Sequence, residues 1–343
     1  MKLLGGLAPR TFLQRHWQKR PLLVRGALPG VDLLDHRALA ALARRDDVES
    51  RIVKRVGAKW VTAHGPFSRE VTLRRRSTLL VSGVNLHLAD ADALLRRFSF
   101  VPQARLDDLM VSYATAGGGV GPHVDSYDVF LLQGPGRRTW RVWFEGKILK
   151  YTVQPGDLLY LPPGLKHDGV ALEPCYTYSI GFRTPRGAEL GAAFLDWLHE
   201  RGLPDARYRD PGLSPARHAG RIPAGMTLFA QNFLRRIRWS AKEAGMFLGE
   251  YLSAPKPHVV FHPTKASRPL ARSRVVLDPK TQLLYSGNRF FINGESLLVA
   301  SRSAKPLRNL ADKRSGPGTA LRALAALIAQ WHRAGYLHLE KAK

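Results

Sequence analysis

Between Leu106 and Phe182 the chain cannot run far in any one direction. Apolar runs of strand length are cut by Gly117-Gly118-Gly119, Gly134-Pro135-Gly136, Pro155-Gly156-Asp157 and Pro162-Pro163-Gly164. Leu106–Tyr113, Asp125–Gln133, Thr139–Phe144, Lys147–Val153, Asp157–Leu161 and Cys175–Phe182 each read as a strand. Breakers this closely spaced leave little room for a helix of ordinary length. Short strands joined by Gly and Pro turns point to an all-β barrel or jelly roll.

The flanks have a different period. Thr11 can cap a helical stretch from Phe12 to Lys19 that Pro21 stops, and Leu22–Gly26 follows as a buried strand. Asp35–Arg45 and Ser82–Phe98 read as helical, Arg51–Val56 and Val71–Leu73 as strands. After Pro185 the residues Leu190, Phe194, Leu195 and Leu198 recur at helical spacing, and Met226–Leu252 carries apolar residues for two more helices. A helical domain over 186–264 with an apolar face free for self-association is predicted. Beyond it, short strands near Asp278-Pro279, a strand and turn at Arg289–Glu295, a helix over Gly318–Trp331 and a closing strand at Tyr336–Leu339 fit a winged-helix module over 265–343.

Lys and Arg number 53 against 27 Asp and Glu, a formal net charge of +26. Charge of this size attracts nucleic acid and other polyanions without saying anything about fold. The lone Cys175 excludes an intrachain disulfide and any multi-cysteine metal site, and fits a reducing cytoplasm. The first ten residues lack the apolar run of a secretory signal, and no stretch is apolar enough for a membrane span.

The chemistry-bearing candidates lie in the β region. Residues i and i+2 of a strand share a face, so His123 and Asp125 can converge on one ion while Val124 points away. His167, beyond the strand Asp157–Leu161 and the turn at Pro162, is placed to supply a third ligand. Two imidazoles and one carboxylate on one face of an octahedron suit Fe(II) in oxygen-activating sites. With 12 His and 27 acidic residues in 343, one His-x-acid pair is expected by chance, and a second, His338-Leu339-Glu340, does occur. The glycine loop before His123 and the spaced Pro-Gly-Asp, Pro and His after it distinguish the first pair. His258 and His262 are flanked by Pro257 and Pro263 and read as loop histidines. Arg137, Arg138 and Arg141 lie on the second strand after the glycine loop. Periodicity puts Arg138 and Trp140 on one face and Arg137 and Arg141 on the other, without saying which face is inward.

Gly117–Trp143 and Pro155–Phe182 resemble the metal-binding and distal-histidine signatures of the Jumonji-C ribosomal oxygenases. Phe12–Leu22 is similar to their N-terminal entry segment, and Arg289–Glu295 and Trp331–His338 to their winged helix. The resemblance implies an α+β fold, with a double-stranded β-helix (cupin or jelly-roll) catalytic domain over 1–185 followed by a helical dimerisation domain and a winged helix. It implies a cytoplasmic, homodimeric protein hydroxylase using Fe(II), 2-oxoglutarate and O2 on a ribosomal protein, an arginine in the bacterial members. His123, Asp125 and His167 become metal ligands and Arg138 the partner of the 2-oxoglutarate distal carboxylate. Tyr127 and Asp128 are expected to hold a cationic target side chain. One departure is the short segment between Trp143 and Pro155, where family members often carry an insertion.

Two other readings compete. One is a Jumonji-C oxygenase, such as a demethylase, acting on another protein. The other is a nucleic-acid-binding regulator with the cupin as ligand sensor. Against the second, Leu321–Trp331 carries a single basic residue, Arg322, so the winged helix has little to offer DNA and any nucleic-acid contact is nonspecific.

Overall fold

Two antiparallel sheets, of eight and four strands, face each other across the N-terminal half of the chain. The computed structural model describes residues 2–68, 71, 73–264 and 268–341. Its elements begin with α1 (Pro9–Arg15), β1 (Leu22–Val24), α2 (His36–Leu42), β2 (Ser50–Val56), β3 (Lys59–His64), β4 (Ser77–Val81) and α3 (Ala89–Arg96). The β region follows as β5 (Leu106–Ala114), β6 (His123–Val124), β7 (Val129–Gln133), β8 (Arg138–Phe144), β9 (Lys147–Val153), β10 (Leu158–Leu161), β11 (Lys166–Ala171) and β12 (Cys175–Phe182). The larger sheet runs β1-β10-β7-β12-β5-β4-β2-β3 and the smaller β6-β11-β8-β9.

Strand β7 shows why the central strands read as unbroken apolar runs rather than alternating ones. All five of its residues are buried. Val129 and Leu131 face the smaller sheet with Trp140 and Val142, while Phe130 and Leu132 face the helical side with Phe12 and Phe98. A strand covered on both faces has no solvent side to make polar. On the helical side Phe12, wholly buried, meets Phe130, Phe100 and Tyr160 at ring-centroid distances of 5.4, 5.9 and 5.0 Å.

Several expectations need correction. Helix α1 starts at Pro9, with Ala8 and not Thr11 as its N-cap, because proline pre-sets the first helical φ and lacks the N–H that would go unbonded there. Strands β3, β4 and β11 were not legible in advance; β3 lies at a solvent-facing sheet edge, with five of its six residues exposed. No strand forms at Val71 or Leu73, and Thr72 of that expected strand lies outside the described residues. The segment from Trp143 to Pro155 is short because β8 and β9 close through two residues, Glu145 and Gly146, at φ 49° and 73°. Both angles are positive, as the type I′ hairpin turn requires.

The C-terminal half holds α4 (Gly187–Glu200), α5 (Ala224–Leu234) and α6 (Ala241–Ser253). After these come β13 (Ser273–Leu277), β14 (Leu283–Ser286), β15 (Arg289–Ile292), β16 (Glu295–Leu298), α7 (Ser301–Lys313), β17 (Ser315–Pro317), α8 (Ala325–Arg333) and β18 (Leu337–Lys341). The expected helix from Gly318 is a 3-10 stretch to Leu324 before α8 begins. Pro306 lies inside α7, which hides that helix from a propensity reading. Its buried Leu307, Leu310 and Ala311 recur at helical spacing and hold it against the core. Helix α6 carries the capping box Ser240/Glu243 at its start and packs on β15.

Gly249 is the contact point of that packing. A side-chain carbon there would sit 2.3 Å from the Phe291 ring. Glycine-to-alanine inside a helix ordinarily stabilises by about 1 kcal/mol, whereas overpacking costs about 1–3 kcal/mol. The clash wins: Gly249→Ala is expected to lower the unfolding midpoint in urea, and a raised midpoint would show that α6 does not seat on Phe291 this way.

Candidate metal centre and cleft

Strand β6 is two residues long, yet it pairs with β11 so that His123 stands directly opposite His167. The imidazole centroids are 4.2 Å apart. His123 Nδ1 lies 2.9 Å from the Gly121 carbonyl and His167 Nδ1 2.8 Å from the Leu165 carbonyl. A carbonyl only accepts, so each Nδ1 carries the proton and each Nε2 presents a lone pair. The Asp125 Oδ2 is 3.8 Å from His123 Nε2 and 3.6 Å from His167 Nε2. The three side chains offer one donor atom each, all within 4.8 Å of one another, and among the described residues they form the one such group of three or more. Burial holds the His167 imidazole below its usual range, and the neighbouring His123 adds to this, so it stays neutral as a ligand must.

Local sequence explains the convergence, though not through the continuous strand expected from Asp125. The chain turns after Val124, and β7 starts only at Val129. Asp125 is pinned instead by its backbone carbonyl, which accepts from Gly164 N–H at 2.8 Å in the Pro162-Pro163-Gly164 turn. His167 lies beyond that turn as the second residue of β11. Gly169, two residues on, leaves room for the Trp140 ring, which a side-chain carbon there would meet at 2.5 Å.

The triad opens onto a cleft of about 420 Å³ between the two sheets. Arg138 lines it and is 4% exposed, with Trp140 beside it on the same inward face. Arg137 turns outward to Glu173 and Arg141 to Asp168, so burial separates the three arginines where periodicity could not. The Arg138 Nε and Nη2 atoms are buried with no hydrogen-bond partner among the described residues, and the same holds for Thr177 Oγ1 across the cleft. A desolvated guanidinium and a hydroxyl with unmet bonding capacity fit a carboxylate, which takes Arg through two parallel bonds. Thr177 was not identified from sequence; a lone threonine in an apolar strand carries no signal for this.

Asp128 is not in the cleft. It is wholly buried, where its Oδ1 accepts from the Tyr160 hydroxyl at 2.5 Å and its Oδ2 from Gln18 Nε2 at 3.1 Å, with Arg105 at 3.4 Å. The expected substrate role is therefore withdrawn for Asp128: the turn before β7 directs it to the N-terminal segment. Tyr127 does line the cleft, and burial together with the Asp125 carboxylate pushes its phenol well up, so it stays protonated and able to donate. The cleft wall carries four carboxylates, Glu49, Asp107, Asp108 and Asp125, against three cations, Arg51, Arg138 and Lys256. A slightly acidic cleft in a chain of net charge +26 can take a basic side chain despite repulsion at long range. Lys256 ties Asp107 at 3.1 Å, and burial pushes the Asp108 carboxyl up.

A JmjC domain model matches residues 93–151 and 144–190, and a ROXA-like winged-helix model matches 236–338. The chain is 35% identical over 356 residues to the ribosomal protein uL16 3-hydroxylase of Escherichia coli K12, spanning 92% of this chain and 95% of that protein. A probable ribosomal oxygenase of Haemophilus influenzae is 35% identical over 208 residues, covering 54% of this chain and 52% of that one. The structure of the E. coli ribosomal oxygenase YcfD in complex with cobalt and 2-oxoglutarate superposes with a TM-score of 0.83 and 31% identity, covering 98% of this chain and 99% of that one.

Two substitutions separate the site from its supports. Asp125→Ala is expected to weaken Co(II) binding, read from visible absorption, by more than about 100-fold, since losing merely an outer hydrogen-bond partner of a ligand costs about 10- to 100-fold. Asp128→Asn is expected to leave Co(II) affinity unchanged and to lower unfolding stability by about 1–3 kcal/mol through its broken hydrogen bonds. The reverse pattern would relocate the metal site.

Proposed function

The chain belongs to the JmjC-domain ribosomal oxygenases, and from that membership we propose that it hydroxylates an arginine side chain of a ribosomal protein with Fe(II), 2-oxoglutarate and O2. The observation that carries this reading is the His123–Asp125–His167 group sharing one cleft with the buried, unpartnered Arg138. The target class, a ribosomal protein of the uL16 kind, is taken from the name of the E. coli relative. A ribosomal target goes with a cytoplasmic setting. Among the described residues no helix is long and apolar enough to cross a membrane.

Each residue has a distinct task in this mechanism. The Nε2 atoms of His123 and His167 and the Asp125 carboxylate would hold the metal. Bound there, Fe(II), 2-oxoglutarate and O2 together supply the oxidising power that inserts oxygen into a C–H bond. Arg138 receives the distal carboxylate of 2-oxoglutarate, with the Thr177 hydroxyl beside it. Met110, Val129 and Leu131 line the same space and exclude water from it. Tyr127, kept protonated, can donate to a backbone carbonyl of the incoming target, and the target's cation meets a cleft wall in which Asp107 and Asp108 are shared with Lys256. No residue is asked to act as a general base.

Residues 1–185 carry this chemistry, 186–264 join two copies and 265–343 buttress them. The support for a homodimer is α5, none of whose residues is buried. Leu228 and Leu234 on that helix are 57% and 61% exposed, and Leu195 on α4 and Trp239 just after α5 are 59% and 55% exposed. An apolar face of this kind is normally covered.

The class is tested by loading the protein with Fe(II) and 2-oxoglutarate without oxygen and then adding oxygen with a uL16 peptide. Addition of one oxygen atom to an arginine by mass spectrometry is expected, with loss of the product in His123→Ala. In Arg138→Met the KM for 2-oxoglutarate is expected to rise by about 100-fold or more, the loss of a buried charge-assisted pair, with peptide affinity unchanged. Succinate release without peptide modification would redirect the search to another substrate. Leu228→Asp/Leu234→Asp is expected to give monomers by light scattering at micromolar concentration; a persisting dimer would place the interface elsewhere.

A further inference from the structure

At the solvent end of the larger sheet, beyond the rim of the cleft, six exposed cations gather: Lys54, Arg55 and Lys59 from the β2–β3 hairpin, and Arg74, Arg75 and Arg76 from the segment before β4, with Arg55 on the cleft face beside Val53 and Lys54 and Lys59 on the opposite face of the hairpin. Strand pairing brings them together. Lys54 stands opposite Ser77 on β4, Arg55 stands opposite Trp60 on β3, and the Arg55 N–H donates to the Arg76 carbonyl at 3.1 Å. The next cross-strand row, Val53, Thr62 and Thr78, already lines the cleft. The group is also seated on the glycine loop that leads to His123. The Arg55 guanidinium lies 5.8 Å over the Trp60 ring. A side-chain carbon at Gly121 would be 2.5 Å from the Trp60 indole nitrogen, and one at Gly117 would be 3.1 Å from Arg76 Cγ.

Among the described residues none of the six pairs with a carboxylate, unlike Arg45 with Asp47 close by. The one acid in the sequence between Lys54 and Arg76 is Glu70, outside the described residues. Six like charges held this close repel one another, so the arrangement gains most from a polyanion laid across it. A protein partner would need a desolvated apolar centre, and the hairpin offers merely two exposed valines, Val56 and Val61. A chain of phosphates needs none.

We propose that this platform binds the phosphate backbone of RNA beside the mouth of the cleft. The choice of RNA rests on the ribosomal-protein reading above: a target residue presented next to RNA would be gripped at the cleft while its RNA neighbour lies on the hairpin. The +26 charge of the chain then has a defined place of action rather than being spread as a solvated face.

The test uses the full-length protein and a fluorescein-labelled oligouridine of roughly 20 nucleotides, with anisotropy read at several salt concentrations around about 150 mM. Arg55→Gln/Arg74→Gln/Arg75→Gln is expected to weaken binding by about ten-fold or more and to lower the salt slope by about 2. Arg207→Gln/Arg209→Gln/Arg217→Gln makes the same change in net charge on exposed residues between α4 and α5. It is expected to weaken binding by less than about two-fold. All six substituted side chains are exposed, and a retained melting transition checks the fold. Equal losses in the two triples would overturn the proposal, leaving net charge as the cause. So would competition by a polyglutamate of equal charge as effective as that of unlabelled oligouridine. Binding is read without turnover, and the first triple is expected to hydroxylate a short peptide normally, so the platform and the hydroxylase reading can fail separately.

Discussion

The pairing of β6 with β11 is the contact on which the site depends. It spans two residue pairs, yet it sets the two imidazoles side by side, tilted by 59°, and leaves both Nε2 atoms within 4 Å of the Asp125 carboxylate. A slip of one residue would replace His123 by Val124 opposite His167 and turn the ligand away from the cleft. Little within so short a strand can enforce its register. The constraint comes from outside it: the glycine loop packed on Trp60, the Gly164 N–H holding the Asp125 carbonyl, and β8 pairing along the other edge of β11.

The larger sheet supplies what that pairing lacks. Its central strands are buried on both faces, and the aromatic group around Phe12 and Phe130 fixes the helical side while Val129 and Leu131 shape the cleft side. Rigid walls matter because the proposed cosubstrate is held by a charge with almost no access to solvent. Arg138 presents a planar, buried cation in that place, and an anion that meets it is fixed in direction as well as in position.

Much of this was legible in the sequence because turn chemistry and metal chemistry leave local marks. His123, Asp125 and His167 could be chosen from spacing and context, and the β-rich organisation from Gly and Pro. What was not legible depended on which way a side chain turns once the chain bends. Asp128 reads as a cleft residue from its nearness in sequence to Asp125; the chain turns between Val124 and Val129, and the carboxylate serves the N-terminal segment instead. Arg138 could not be separated from Arg137 by alternation alone, since alternation gives two faces and no sense of inward. Thr177, β3 and α7 were hidden for different reasons: an unremarkable residue in an apolar strand, an edge strand with few apolar residues, and a helix that tolerates Pro306.

The buried carboxylate of Asp128 has a consequence for the order in which the chain can be finished. Two of its partners are Gln18 and Tyr160, and the Gln18 N–H donates to the Tyr160 hydroxyl across 142 residues of sequence. The first helix is thus made early and completed late. At a synthesis rate of about 5–20 residues per second, the N-terminal segment waits roughly 7–28 s before its partner strand exists. During that time Phe12 and Trp17 lack the Tyr160 ring that completes their packing. Closing the sheet at β10 is therefore also the moment at which the beginning of the chain is taken out of solvent, and the catalytic half is assembled from both of its ends at once.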